Sequence, residues 1–181
     1  PELCKVCIDR IQQLYSNNFS IILITKENYN QYVKLPDYII NKWAEGKISN
    51  VHFSDILRIC LLAEQGGVWM DATLLLLDKI PEWIFNQDLF FFKGNSKKVI
   101  NVSSWFISSC SFSPLLLCVR DLLFEYWKNM NYQVHYNICH MFLMMASEKY
   151  KEEYESIPMY PSDTAHILTR EIESKYDSSR I

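Results

Sequence analysis

Phe53-Ser54-Asp55-Ile56-Leu57-Arg58, followed after Gln65 by Gly66-Gly67-Val68-Trp69-Met70-Asp71-Ala72-Thr73, is the stretch on which the fold turns. Ser54 carries the side chain of a helix N-cap, and Asp55 suits the positive end of the helix dipole. Ile56, Leu57, Ile59, Cys60, Leu61 and Ala63 then give that helix a broad apolar face. The double glycine stops it, and Val68-Trp69-Met70 leaves the turn as a strand, with Leu74 to Leu77 continuing in apolar material. Helix, glycine turn and buried strand in that order are a local unit of an α/β fold.

The flanks keep the same rhythm. Leu3, Cys7, Ile11 and Leu14 recur at helical spacing, and Asn17-Asn18 closes that run before Phe19-Ser20-Ile21-Ile22-Leu23-Ile24-Thr25, which reads as a strand. Residues 26 to 50 are helical in pieces broken at Pro36 and Gly46. Leu89-Phe90-Phe91-Phe92 and Trp105-Phe106-Ile107-Ser108 are further strands, bounded by turns such as Lys93-Gly94-Asn95-Ser96. Ser113-Pro114 sets a cap and a proline at the first position of a helix to Lys128. A helix from Val134 to Tyr150 follows, and Ser162-Asp163 caps a last one through Ile172. The expected architecture is one α/β domain over residues 1–181, with a mixed central sheet and C-terminal helices.

Composition narrows the function. The chain of 181 residues is 49% hydrophobic, enough for a core without disulfides or structural metal. A net charge of -3 supplies no basic field for nucleic acid. The six cysteines lie largely in apolar runs such as Ile59-Cys60-Leu61-Leu62, as free thiols of a reducing, cytoplasmic compartment do. Asn101-Val102-Ser103 is a weak glycosylation sequon. No apolar run approaches the ~20 residues of a spanning helix, so a soluble piece is expected. Pro1 followed at once by a helix pattern leads to the expectation that a segment precedes it.

Two features carry chemistry. Asp55 and Arg58 share a helix face, and a carboxylate that steadies a guanidinium beside free helix N–H groups makes a corner for an anion. The bland alternative is a surface ion pair. Asp71 interrupts an apolar run, where burying a carboxylate costs several kcal/mol, on the order of the penalty for an unpaired charge. A metal would remove that cost: oxygen ligands favour Mg²⁺ or Mn²⁺, which bridges a diphosphate and stabilises it as a leaving group. In the competing case Asp71 and Thr73 cap a turn.

These residues together resemble the signature of capsular polysaccharide synthesis proteins and related glycosyltransferases, a group with a DXD motif that includes yeast mannosyltransferases and clostridial glucosylating toxins. The Pro1-Glu2-Leu3 helix, Ser104-Trp105-Phe106-Ile107, Tyr126-Trp127 and Tyr136 to His140 look like further blocks of that family. The resemblance implies a GT-A fold, a nucleotide-binding α/β sandwich. It also implies a retaining glycosyltransferase that moves a sugar from a nucleotide-diphosphate donor to a glycan or lipid-linked acceptor, at the inner face of the membrane. Asp71 would then ligate the metal, Asp55 and Arg58 would contact ribose, sugar or diphosphate, and Trp69 would line the donor pocket. Alternatives are a toxin-like transferase acting on protein and a non-catalytic nucleotide-sugar-binding module.

Two departures matter. The second acid of DXD is replaced by Thr73, as is common in the capsular branch, so the ion would be held by Asp71, diphosphate and water, loosely without donor. Family members also begin with a tryptophan-bearing strand that helps hold the base, and nothing in the sequence precedes Pro1. His140, four residues after Tyr136, shares a helical face with it and is a donor-site candidate, against a core histidine as alternative. Cys4-Lys5-Val6-Cys7 has redox and zinc spacing but no second pair. The aromatic cluster at Tyr126-Trp127, Tyr132 and Tyr136 fits sugar platforms and core packing equally. Lys93, Lys97 and Lys98 read as a solvated turn.

Overall fold

A computed structural model describes residues 2–94 and 102–161. The amphipathic opening run forms helix α1 (Glu2–Tyr15). Beyond it, Phe19 to Thr25 runs without helix or strand pairing, contrary to the expected strand. Its backbone is held instead by Asn28, whose side chain accepts from Thr25 N at 2.7 Å and donates to Leu23 O at 2.9 Å. Among the described residues no strand lies beside it, and an apolar run becomes a strand only where a neighbour completes its ladder. After a 3-10 turn at Tyr29–Gln31, helix α2 (Asp37–Ala44) starts directly behind Pro36.

Helix α3 (Asn50–Gln65) begins a turn earlier than the sequence led us to expect. Its N-cap is Ser49, whose extended backbone is the conformation a cap requires, and whose side chain accepts from His52 N at 3.4 Å. Ser54 and Asp55 therefore sit in the second turn, so the free N–H groups of the helix start do not surround Asp55. At the other end Gly66 closes α3 with φ +71°, and its Cα lies so tightly against the chain at 109–111 that an added Cβ would come within 2.6 Å of Ser111 N. Only glycine meets both demands.

From this turn strand β1 (Gly67–Met70) emerges, followed by a loop in which Leu76 is buried and Arg10 of α1 donates to the Leu76 and Leu77 carbonyls. The Leu74 to Leu77 run thus continues as loop, not strand. Helix α4 (Glu82–Phe85), strand β2 (Leu89–Lys93) and strand β3 (Val102–Ser109) complete the sheet. Its order is β1-β3-β2, and both pairings are antiparallel, with Trp69 opposite Ile107 and Phe91 opposite the same residue on the far side. The expected mixed sheet is thus an antiparallel one among the described residues, because β3 enters between its two neighbours and runs against both.

Ser113 caps helix α5 (Pro114–Asn129) as the sequence indicates, accepting from Leu116 N, while Glu153 accepts from Leu115 N at 2.9 Å. Helix α6 (Ile138–Lys149) starts later than Val134, because Tyr126 Oη pins the preceding loop by accepting from Val134 N and donating to Tyr132 O. Tyr136 consequently precedes the helix and does not share a helical face with His140. Helix α7 (Lys151–Ser156) follows. The expected helix at 162–172 and Lys97 and Lys98 lie outside the described residues.

Helices α3, α5 and α6 pack on one another, and α3 and α6 also contact β3. Ile56, Ile59, Leu116, Trp127, Phe91 and Ile107 form the centre of that core, each 0% exposed. At ~1.5–3 kcal/mol for each large apolar side chain buried, this cluster fixes the angle at which α3 faces the sheet, and so sets the site. Among the described residues no helix is long and apolar enough to cross a membrane.

Candidate functional site

The site forms where the second turn of α3 meets the far end of β1. Asp71 follows β1 directly and keeps the ladder for one more step, its N–H donating to Trp105 O at 2.9 Å. Its carbonyl accepts from Leu74 N at 2.9 Å, so the backbone closes the turn and the side chain is left for other work. That side chain does not cap. Its Oδ1 accepts from Trp69 Nε1 at 2.8 Å and lies 3.1 Å from Arg58 Nη2.

Arg58 is the hub, only 5% exposed. A guanidinium taken from water loses several kcal/mol of hydration unless partners replace it, on the order of the penalty for any buried ion. Here Nη1 donates to both Ser104 O and Ser104 Oγ at 2.8 Å. Nη2 stands between Asp71 and Asp55 Oδ1, the latter at 3.4 Å, and near Ser54 Oγ at 3.4 Å. Its Cζ also lies over the Trp69 ring, 5.4 Å from the centroid. Ser104 on one side and two carboxylates on the other take up both Nη groups and hold the guanidinium in a single orientation. The surface ion pair considered from sequence is a buried network instead.

Ser54, Arg58, Trp69, Asp71 and Thr73 line a cleft of about 1010 Å³, with Ile21 and Leu23 of the unpaired segment and α1 on its apolar side. Asp55 and His140 do not line it. Asp55 stands behind Arg58, and His140 reaches the site through Ser104, its Nε2 3.3 Å from Ser104 Oγ. Burial pushes the His140 imidazole below its ordinary value of 6.5, with opposing pulls from Asp55 and Asp71. Of the six residues singled out in the sequence, Arg58, Trp69, Asp71 and Thr73 face the cleft while Asp55 and His140 support it. Sequence reasoning gave no role to Ser104, although it lies in a family-like block, nor to His52. The nitrogen His52 Nδ1 is 3.6 Å from Asp55 Oδ2.

As for a metal, among the described residues no group of three or more His, Cys, Asp or Glu side chains could hold an ion. Asp71 is the one cleft-facing carboxylate of the network, about a third exposed, and both of its side-chain contacts fall on Oδ1. That donor set fits an ion of the Mg²⁺ kind, which takes one or two carboxylates and completes its shell with substrate phosphates and water. It does not fit a protein-enclosed metal.

The family described as capsular polysaccharide synthesis protein matches residues 1–181, the whole chain. The chain belongs to that family. Among capsular polysaccharide synthesis proteins, then, this member brings Ser54, Asp55 and Arg58 together with Trp69 and Asp71 across a single glycine turn. Membership ties the chain to capsule biosynthesis. No curated protein and no solved structure matches it.

Proposed function

We propose that this capsular polysaccharide synthesis protein is a glycosyltransferase of the GT-A type that takes a sugar from a nucleotide-diphosphate donor and transfers it, with retention, to a glycan or lipid-linked acceptor. The observation that carries the reading is Asp71 at the end of β1, on the wall of a large cleft, tied to a buried Arg58 and to Trp69. A cleft of this size suits a nucleotide sugar. Arg58 offers a preorganised positive charge where a diphosphate or sugar hydroxyls bind, and preorganised charge stabilises a leaving group without reorganisation. Asp55 and Ser104 hold that guanidinium, and His140 backs Ser104. Trp69 keeps Asp71 oriented, and Thr73 offers a hydroxyl beside it.

Mn²⁺ or Mg²⁺, when bound, supplies Lewis-acid neutralisation of the departing diphosphate. Asp71 is the residue that would hold it, with Thr73 in place of a second acid. The cysteines, all free, agree with work in a reducing compartment, and an acceptor anchored at the inner membrane face agrees with the apolar side of the cleft.

The test is a panel of UDP- and GDP-sugars, scored for binding and hydrolysis with and without Mn²⁺. Asp71→Asn is expected to weaken metal-dependent donor binding by about 10- to 100-fold, as loss of a metal-site group does. Binding indifferent to Mn²⁺ and to this substitution overturns the metal role. Thr73 in place of a second acid, together with the lack of a three-residue metal cluster among the described residues, favours one rival, a binding module without turnover. Tight donor binding with no hydrolysis or transfer from any acceptor would decide for it.

A further inference from the structure

We infer that His52 is a positioning residue, which holds Asp55 by donating from Nδ1 to Oδ2 so that Asp55 in turn fixes the Arg58 guanidinium. The inference deepens the proposed function and rests on it, since Arg58 is taken there as the donor-binding cation.

The first ground is burial without a partner. His52 is 1% exposed, yet neither of its ring nitrogens has a hydrogen bond. A buried polar group left unmade costs ~1–3 kcal/mol, and each such group in a native fold has a reason. Packing alone supplies none. The ring fills a slot between Trp127, centroids 5.9 Å apart, and Tyr136, 6.3 Å apart, which a phenyl group would fill without the cost.

The second ground is the slack in the network. Arg58 Nη1 is held by two contacts of 2.8 Å, and Nη2 is 3.1 Å from Asp71. Asp55, buried, has Arg58 at 3.4 Å from one oxygen and His52 at 3.6 Å from the other. Both lie beyond the usual ~2.7–3.2 Å of a hydrogen bond, so Asp55 is the loosest joint around the hub. His52 and Asp55 are one turn apart on α3, and a side-chain shift of a few tenths of an ångström closes the gap without moving the backbone.

The third ground is the route to the cleft. Tyr136 lines the cleft and packs on the His52 ring, so a ligand resting against Tyr136 bears on the imidazole behind it. With the proton on Nδ1, Nε2 becomes an acceptor. It then belongs to a neighbourhood where the Trp127 indole N–H, also buried, lacks a partner.

The experiment combines ring ¹⁵N NMR of His52 with binding of UDP-glucose and GDP-mannose in the presence of Mn²⁺. In the wild-type chain the His52 signal is expected to show Nδ1 protonated and hydrogen-bonded, and to move in Asp55→Asn. His52→Phe keeps the ring slot and is expected to retain its thermal midpoint while weakening donor binding about tenfold, as removal of an outer partner does. His52→Asn places an amide N–H where Nδ1 stands and is expected to restore most of that loss, which a purely structural role would not do. A bare Nδ1 with the proton on Nε2 overturns the inference, and so does wild-type affinity in the Phe variant. Should the Phe variant not fold, the tautomer and the Asn variant decide. Should neither sugar nucleotide bind the wild-type chain, the proposed donors fail while the NMR result still judges the role of His52.

Discussion

Arg58 shows what one buried cation demands of its surroundings. Replacing it with methionine keeps the unbranched stem but removes the guanidinium, leaving Asp55 and Asp71 facing each other with no positive charge between them. Breaking a buried pair in this way costs ~3–5 kcal/mol, less here because Asp71 is partly exposed, so urea unfolding of Arg58→Met is expected to show a loss of about 3 kcal/mol. His140 gives a second measurable quantity. Burial lowers its folded pKa beneath 6.5, so below that pH the unfolded chain binds the proton more readily than the folded one. Stability from this residue is full above 6.5 and is lost as pH falls toward the depressed value. The thermal midpoint should therefore drop between pH 7 and 5, and His140→Gln should make that part of the slope disappear; an unchanged slope would contradict the burial argument. Asp71 stood out in the sequence because a charged group inside an apolar run needs an explanation, whereas Arg58 was picked out by its helical spacing from Asp55 and Trp69 only by the family resemblance. That Asp55 and His140 stand behind the cleft was not, since helical spacing gives a face but no depth. Ser104 and His52 carry no such signal: a serine 46 positions away becomes the main partner of Arg58 only once β3 lies beside α3.

At the level of elements, the two glycines after α3 make a comparison that separates strain from clash. Gly66 and Gly67 both have positive φ, at +71° and +100°, but only Gly66 is crowded, since a Cβ there would stand 2.6 Å from Ser111 N and 2.8 Å from Ser109 O. Gly67→Ala is expected to cost ~1–2 kcal/mol of backbone strain, whereas Gly66→Ala adds a clash with backbone that has no flexible end to yield, for ~3 kcal/mol or more. Chemical denaturation of the pair checks it, and equal losses would mean that the 109–111 segment gives way. The glycine stop and the strand segments at 68–70, 89–92 and 105–108 were readable from local chemistry, but β3 starts at Val102, three residues before the apolar run that marks it. The start of α3 was not, because Ser49 and Ser54 are both competent caps and only backbone conformation selects between them. Nor was the fate of Phe19 to Thr25, whose β-like composition says nothing about whether a neighbouring strand is there to pair with it.

Across the whole molecule, sheet order was hidden from sequence because pairing direction depends on which strand takes the centre. With β3 between β1 and β2, Trp69 and Phe91 meet the same residue, Ile107, from opposite edges, and the helices α3, α5 and α6 lock that arrangement through one continuous core. A ligand that settles at the end of β1 therefore stabilises the entire fold, not a loop, and its affinity is readable as a shift in global unfolding. At a donor concentration 100 times Kd the gain is ~2.7 kcal/mol, and for a chain of this length each kcal/mol moves the midpoint by ~2–4 °C. A correct UDP- or GDP-sugar with Mn²⁺ should thus raise the melting temperature by ~5–10 °C. Asp71, the single carboxylate lining the cleft among the described residues, adds a sharper condition. Because Asp71 alone cannot enclose an ion, Mn²⁺ without nucleotide should shift the midpoint hardly at all, and the two together should exceed the sum of their separate effects. Asp71→Asn should remove that excess while leaving whatever the nucleotide achieves through Arg58. A large shift from Mn²⁺ alone would show that the ion has protein ligands beyond Asp71, and the donor-bridged arrangement would then be wrong.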